Sequence, residues 1–145
     1  MEVRKMNKRM VHIEFDAVSE NESLARVVVS SITARLNPTI EQLNDIKTAV
    51  SEAVTNAVIH GYKNGEGIVA MDIVIDGNML IIEIEDKGVG IEDVDKAMEP
   101  MYTTRPEDER SGLGFVVMEI FMDELKVESK PGEGTKVTMK KMIPR

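Results

Sequence analysis

The chain has 145 residues, of which 42% are hydrophobic and 30% charged, as expected for one globular domain. Its formal net charge of −8 argues against direct binding of nucleic acid, because phosphates require a basic surface. The absence of cysteine excludes disulfides and cysteine-based zinc sites, and no apolar run is long enough for a membrane span. The N-terminus lacks the apolar segment of a signal peptide, so we expect a cytoplasmic protein that does not contact a membrane.

The first predicted elements are a strand and a helix. Residues 11–17 alternate apolar and polar side chains, which predicts a half-buried strand. Ser19 followed by Glu22 has the form of a capping box and predicts a helix that ends near Leu36. Arg26 lies off the apolar stripe of this helix and is expected to face solvent. The residues expected to face inward are Leu24, Val27, Val28, Ile32 and Leu36.

A second, longer helix has two unlike faces. Thr39 and Gln42 form another capping box, and the helical pattern continues to about His60. Glu52, Asn56 and His60 recur at intervals of four and line up on a polar stripe. A carboxylate and an amide one turn apart can hold a hydrated cation and position a proton acceptor. The apolar stripe consists of Ile46, Val50, Ala53, Val54, Ala57 and Val58.

The second half of the chain predicts two hairpins separated by short helices. The predicted elements are strands 68–75 and 79–85, a short helix 91–98, a helix 115–122 and strands 124–129 and 135–142. Residues 99–111 are polar and aperiodic, which is typical of a functional loop. This order predicts an α+β fold, a two-layer sandwich in which helices cover one face of a mixed, mostly antiparallel sheet. We expect residues 1–10 to be a flexible basic lead-in and residues 11–145 to form a single domain.

Three short motifs stand at intervals along the predicted elements. Each has an ordinary structural explanation by itself: a solvated helix face, a tight turn after a strand, or a loop before a helix. The chain contains neither a P-loop nor a dinucleotide-binding glycine fingerprint. The motifs are Glu52 with Asn56, the turn Asp86-x-Gly88-x-Gly90, and Gly112-Leu113-Gly114.

Together and in this order, the motifs resemble the nucleotide-binding set of the GHKL superfamily, which includes gyrase, Hsp90, histidine-kinase and MutL ATPases and has the Bergerat fold. Gly134-Thr135 resembles a further element on the adenine side. Within the superfamily, residues 21–27, 52–62, 103–107 and 110–115 are similar to the sporulation anti-sigma-F factors, a family of serine kinases. The sequence departs from that family in its basic start, in the hairpin and in its C-terminus.

The resemblance implies ATP or ADP and Mg²⁺ as cofactors. It implies that Asp86 accepts a hydrogen bond from the adenine amine, that Asn56 is the metal ligand and that Glu52 is the catalytic base. His60 is expected to cap the helix and to take no part in the chemistry. Arg110, ahead of Arg105, is the candidate cation for the γ-phosphate. The other implied nucleotide contacts are Gly88, Gly90, Thr104, Ser111, Gly112, Leu113, Gly114 and Thr135.

The resemblance also implies partners. The expected protein is an anti-sigma factor and serine kinase that binds a sigma factor, phosphorylates an anti-anti-sigma protein and forms a homodimer, with Arg26 on the partner-binding face. The polar loop 99–111 would act as a lid. The alternative is a nucleotide-gated sigma-binding module without kinase activity. A histidine kinase would need a dimerising helix pair before the first strand, and a gyrase- or MutL-like ATPase would need a transducer domain.

Overall fold

The computed structural model describes residues 8–99 and 114–144. The strands are β1 (Lys8–Asp16), β2 (Ile68–Asp76), β3 (Met79–Asp86), β4 (Glu124–Lys130) and β5 (Gly134–Met142). The helices are α1 (Asn21–Thr33), α2 (Ile40–Asn56), α3 (Val94–Ala97) and α4 (Gly114–Phe121). A 3₁₀ turn (Ala34–Leu36) extends α1, and a turn of π-helix (Ala57–Gly61) extends α2.

The five strands form one sheet in the order β1-β2-β3-β5-β4, with every neighbouring pair antiparallel. Alternate residues of β3 are buried, from Leu80 through Ile82 and Ile84 to Asp86. The apolar members of this row share one core with α1, α2 and α4. Helices therefore cover one face of the sheet, which confirms the predicted two-layer α+β sandwich; within the described strands the sheet is wholly antiparallel.

The other face of the sheet carries charged side chains. Lys136 pairs with Glu83 at 3.5 Å across β5 and β3. His12 is exposed and lies between Glu14 and Asp72. Its hydrogen bonds to Glu14 and Asp72 raise the pKa of the imidazole. This alternation of apolar and charged residues is what a strand needs when one of its sides faces the core.

Most predicted elements occur close to their expected positions. β1 begins at Lys8, earlier than predicted, because its ladder with β2 continues to the pair of Lys8 with Asp76. Residues 8–10 therefore belong to the sheet and not to the predicted lead-in. The predicted helix 91–98 is a single turn, α3, and the side chain of its N-cap residue Asp93 accepts a hydrogen bond from the Lys96 amide. Among the described residues, no helix is both long and apolar enough to cross a membrane.

The orientation of α1 differs from the prediction. Leu24 and Val27 were expected to face inward, but 45% of Leu24 and 63% of Val27 is exposed. Ala25 and Val29 are fully buried in their place. A small alanine lets the helix axis approach its neighbours closely, so the rotation of α1 follows from packing rather than from the largest apolar side chains.

The two predicted capping boxes have different outcomes. Thr39 and Gln42 form theirs: the Thr39 hydroxyl accepts from the Gln42 amide at 3.0 Å, and the Gln42 side chain accepts from the Thr39 amide at 2.8 Å. The prediction for Ser19 and Glu22 is wrong, because α1 begins without a side-chain cap. The Glu22 carboxylate instead accepts a hydrogen bond from Thr55 on α2.

The Thr39 cap can be tested by its removal. The substitution Thr39→Ala leaves the Gln42 amide at the start of α2 without its side-chain acceptor and should lower the free energy of unfolding by about 1 kcal/mol. For a domain of this size we expect the melting temperature to fall by about 3 °C. Thr48→Ala is the matched control, and its melting temperature should stay close to that of the wild type. The Thr48 hydroxyl is exposed and donates to the Asn44 carbonyl within the same helix. Equal melting temperatures for Thr39→Ala and the wild type would contradict the assignment.

Candidate functional site

A cavity of about 300 Å³ lies between the C-terminal part of α2 and the sheet, beside the start of α4. This volume is at the lower end of the range for small-molecule sites. Polar groups come from each surrounding element, and apolar side chains form the remaining wall. The lining includes Asn56, His60, Lys63, Ile84, Asp86, Val89, Ile91, Gly114, Phe115, Pro131, Thr135 and Val137.

Glu52 and Asn56 converge near the first residue of α4. A Cβ atom built on Gly114 would lie 3.1 Å from the Asn56 Oδ1 atom and 3.4 Å from the Glu52 Oε2 atom. Asn56 lines the cavity, and Glu52 lies one helical turn behind it. Because glycine opens α4, its backbone can approach the amide and the carboxylate this closely. A carboxylate, a side-chain amide and the backbone of Gly114, the first described residue of α4, therefore meet at one end of the cavity.

Asp86 provides the buried carboxylate of the cavity. It occupies the position after Ile84 on the buried side of β3, and only 5% of the residue is exposed. Burial raises the pKa of this carboxyl above its ordinary value, while hydrogen bonds from the backbone amides of Gly88 and Thr135 lower the pKa in part. The Gly88 amide donates to the Oδ1 atom at 2.9 Å. This oriented acceptor faces a cavity with apolar walls and suits a ligand that donates a hydrogen bond.

The backbone brings the Asp86 turn against the end of the long helix. The Val89 amide donates to the Gly61 carbonyl at 2.9 Å. A Cβ atom on Gly88 would lie 1.9 Å from the same oxygen, so only glycine fits there. A Cβ atom on Gly61 would lie 2.8 Å from the Asp86 carboxylate. The glycines of this turn are therefore required by the protein's own packing, whether or not a ligand approaches them.

Thr135 stands beside Asp86 on the neighbouring strand and lines the cavity. Its hydroxyl lies 2.8 Å from the Ser129 hydroxyl, which donates to the Gly134 carbonyl at 2.8 Å and accepts from the Ile91 amide at 2.8 Å. Since Ser129 has only one proton to donate, Thr135 donates to Ser129 and keeps its own oxygen as an acceptor.

Several residues that line the cavity or support its walls were not identified from the sequence. His60 and Lys63 contribute to its lining, although His60 was expected to serve only as a helix cap. The Tyr62 hydroxyl donates to the Ile68 carbonyl at 2.6 Å and accepts from the Lys87 amide at 2.7 Å, which fixes the start of the Asp86 turn. Ser129 gave no signal beyond its place in an alternating strand. The contact of Tyr62 with Lys87 and that of Ser129 with Ile91 both join segments that are distant in sequence.

The remaining predicted site residues differ in their position relative to the cavity. Arg26 is outside the cavity, on α1, where its guanidinium contacts Glu22 and Ser51. This contact also corrects the expectation that Arg26 points only to solvent. Gly90, by contrast, contributes to the lining of the cavity, and it adopts a φ of +76° where the turn passes Lys130. Thr104, Arg105, Arg110, Ser111, Gly112 and Leu113, with the predicted lid, lie outside the described residues.

The class of protein follows from comparison with known families. Residues 15–141 match the histidine kinase-like ATPase domain. The fold is similar to a solved structure of RsbU and RsbW domains from Mycobacterium tuberculosis, with a TM-score of 0.64 at 20% identity. The match covers 94% of this chain but only 32% of the Mycobacterium tuberculosis chain. The chain therefore belongs to the histidine kinase-like, or GHKL, ATPase family.

Its relatives define the branch of the family. An anti-sigma F factor from Clostridium acetobutylicum is 57% identical over 136 residues, which is 94% of this chain and 95% of the relative. An anti-sigma F factor from Thermoanaerobacter pseudethanolicus is 58% identical over 134 residues, or 92% and 94% of the two chains. The resemblance to the anti-sigma-F branch is thereby confirmed.

The cavity fits the nucleotide that the family implies. A buried acceptor at Asp86, between apolar walls, matches a flat base that carries an amine. The Asn56 amide, close to the start of α4, matches phosphate oxygens and a magnesium ion, which needs few protein ligands. Across the described residues, no cluster of three or more His, Asp or Glu side chains could hold a metal by itself.

Asp86 should contribute to binding at the expense of stability. The substitution Asp86→Asn keeps the shape and the acceptor for the Gly88 amide but removes a buried charge. We expect an unchanged or higher melting temperature at neutral pH, and ATP binding that is weakened about tenfold or more because a charge-assisted hydrogen bond is lost. Differential scanning fluorimetry and calorimetric titration measure the two quantities. A variant that is less stable but binds ATP normally would show that Asp86 is purely structural.

The pH dependence of stability provides a second test of the same residue. The pKa of Asp86 is higher in the folded protein than the ordinary value of 3.8. Between these two values the folded state binds more protons than the unfolded state, so stability falls as pH rises through this window. The Asp86→Asn variant lacks this contribution. Its free energy of unfolding, measured across the acidic range, should therefore decline less with rising pH than that of the wild type.

Proposed function

We propose that the chain is an ATP- and Mg²⁺-dependent protein serine kinase that also binds and inhibits an RNA polymerase sigma factor. The observation that carries this proposal is the convergence of Glu52 and Asn56 at the Gly114 end of a cavity that has Asp86 at its side. The anti-sigma F names of relatives more than half identical to the chain support the regulatory part.

Recognition of adenine is assigned to Asp86 and Thr135. The Asp86 carboxylate accepts a hydrogen bond from the exocyclic amine, and an acceptor in this position favours adenine over guanine. The Thr135 oxygen, oriented through Ser129, is an acceptor beside it. Burial strengthens this discrimination, because a buried carboxylate without a donor partner costs binding free energy.

The phosphates are assigned to the other end of the cavity. The backbone amides at the start of α4 suit anionic oxygens, and the Asn56 Oδ1 atom suits the magnesium ion. Bound MgATP supplies the phosphoryl group, and the metal neutralises the charge that develops on its oxygens. Arg110, and second Arg105, remain the proposed γ-phosphate cations. Thr104, Ser111, Gly112 and Leu113 remain proposed nucleotide contacts, and the segment around them remains the proposed lid.

Glu52 is the proposed general base. As the serine oxygen bonds to the γ-phosphorus and the bond from that phosphorus to ADP breaks, the Glu52 carboxylate accepts the proton of the serine hydroxyl. Asn56, one turn further along α2, would hold the magnesium ion. Phosphoryl transfer depends mainly on positioning and charge stabilisation, so a helix that presents both groups together is an appropriate support. The serine belongs to an anti-anti-sigma protein that docks at the open end of the cavity.

The regulatory partners complete the proposal. The sigma factor and the anti-anti-sigma protein are both proposed to meet the exposed side of α1 around Arg26, where Leu24 and Val27 are also exposed. The active form is proposed to be a homodimer, which sedimentation equilibrium would detect as twice the mass of the chain. A protein that controls RNA polymerase in this way works in the cytoplasm.

Transfer of radiolabelled phosphate from ATP to the anti-anti-sigma protein tests the enzymatic part. The substitution Glu52→Ala should abolish transfer while ATP still binds, since Glu52 is not assigned to nucleotide contacts. Glu41→Ala is the matched control, because Glu41 is an exposed carboxylate in the first turn of the same helix. Normal transfer by Glu52→Ala would exclude Glu52 as the base.

The alternative function is a nucleotide-gated sigma-binding module without kinase activity. It predicts that the wild-type protein binds ATP and the sigma factor but transfers no label. The complete set of a carboxylate, an amide and a helix N-terminus at one end of the cavity favours the kinase, since a binding module has no need for Glu52.

A further inference from the structure

A polar cluster joins α1 to α2 on the side of α2 next to Glu52 and Asn56. Two oxygens of Glu22 are used: Oε1 accepts from Arg26, and Oε2 accepts from the Thr55 hydroxyl at 3.1 Å. The Arg26 guanidinium also donates to the Ser51 hydroxyl at 3.1 Å. We call Glu22, Arg26, Ser51 and Thr55 the inter-helix cluster.

The cluster bonds to α2 at the residues that immediately precede Glu52 and Asn56 in the sequence. Ser51 precedes Glu52, and Thr55 precedes Asn56. Successive residues of an α-helix are turned by about 100° around its axis, and residues four apart lie on one stripe. Ser51 and Thr55 therefore form one stripe, and Glu52 and Asn56 form the adjacent one. Fixing the first stripe fixes the direction in which the second one points.

The core alone restrains this rotation less strictly. The buried residues of α2 hold it in the core through apolar contacts only; they are Ile46, Ala49, Val50, Ala53 and Val54. Apolar contacts are non-directional, whereas hydrogen bonds weaken steeply when their angles change. The cluster is also protected: the Glu22 and Arg26 side chains are 29% and 35% exposed, so the contacts are only partly open to water.

We propose that Thr55, held by Glu22, is a positioning residue for the phosphoryl-transfer site, with Ser51 and Arg26 in support. It touches neither the nucleotide nor the serine. Its hydroxyl sets the rotation of α2 about its axis, and thereby aims the Glu52 carboxylate and the Asn56 amide at the start of α4. This inference rests on the proposed function, which assigns the reacting groups to that end of the cavity.

The test compares Thr55→Val, which keeps the shape and removes the hydroxyl, with Thr55→Ser, which keeps the hydroxyl. We expect kcat for transfer to the anti-anti-sigma protein to fall about tenfold or more in Thr55→Val, because a small misplacement of reacting groups is costly. The dissociation constant for ATP should change less than about threefold, because the Asp86 end of the cavity is unaffected. Thr55→Ser should recover most of the rate.

The matched control is Thr48→Val, on the same helix. The Thr48 hydroxyl is exposed and bonds only to the Asn44 carbonyl of its own helix, so the rate should equal that of the wild type. If Thr55→Val transfers phosphate at the wild-type rate, the proposal is wrong. If Thr55→Ser is as slow as Thr55→Val, packing rather than the hydroxyl is responsible, and the proposal is again wrong.

A readout without nucleotide separates this inference from the proposed function. The side-chain amide signal of Asn56 in the ¹⁵N–¹H spectrum of the free protein should shift in Thr55→Val and stay in place in Thr48→Val. An unshifted signal in Thr55→Val overturns the inference even if the kinase proposal holds. A wild type that transfers no phosphate, together with a shifted signal, overturns the kinase proposal and leaves the positioning contact supported.

A second variant covers failure of Thr55→Val to fold. Ser51→Ala removes the acceptor that α2 offers to the Arg26 guanidinium and places a strong helix former in α2, so the helix itself is not weakened. We expect a smaller loss, of about threefold in kcat, with ATP affinity retained. An unchanged rate together with an unchanged Asn56 signal in Ser51→Ala would contradict the proposal.

Discussion

The close backbone contact between the end of the long helix and the turn after β3 is the constraint on which the cavity depends. The Gly61 carbonyl accepts from the Val89 amide at 2.9 Å, and no side chain fits on Gly88 at this distance. Asp86 belongs to the sheet layer and Asn56 to the helix layer. Because the two layers meet at this contact, it fixes the separation between the acceptor for a base and the groups assigned to phosphate.

The long helix carries out three separate tasks with three stripes of side chains. One stripe enters the core, one bonds to α1 through Ser51 and Thr55, and one presents Glu52 and Asn56 to the cavity. The π turn that follows lets the chain leave the helix at Gly61 without a break, and such turns are common at functional sites. Asp86 lies outside this helix, and its effect on stability is unfavourable. Burial of its carboxyl raises the pKa of the group and lowers the stability of the fold, which a residue with a purely structural role would not do.

The sequence predicted the structure correctly where the conformation of a segment depends on residues within that segment. The Thr39–Gln42 capping box, the hairpin of strands 68–75 and 79–85 and the half-buried strand 11–17 were all predicted, and each is observed. They were insufficient where two segments compete for one group. Glu22 had the right spacing to cap α1, but its carboxylate bonds to Thr55, which is 33 residues away. No local pattern contains that partner.

The sequence by itself therefore determined the order of the elements, the two-layer architecture and the identity of the polar motifs, because these depend on periodicity and on spacing along the chain. Only the tertiary structure decided which motifs meet and what else joins them. The rotation of α1 exposes Val27, the cavity takes His60 and Lys63 into its lining, and the Ser129 hydroxyl orients Thr135. Each of these results depends on close packing between distant segments, where distances of a few tenths of an ångström decide which contacts form.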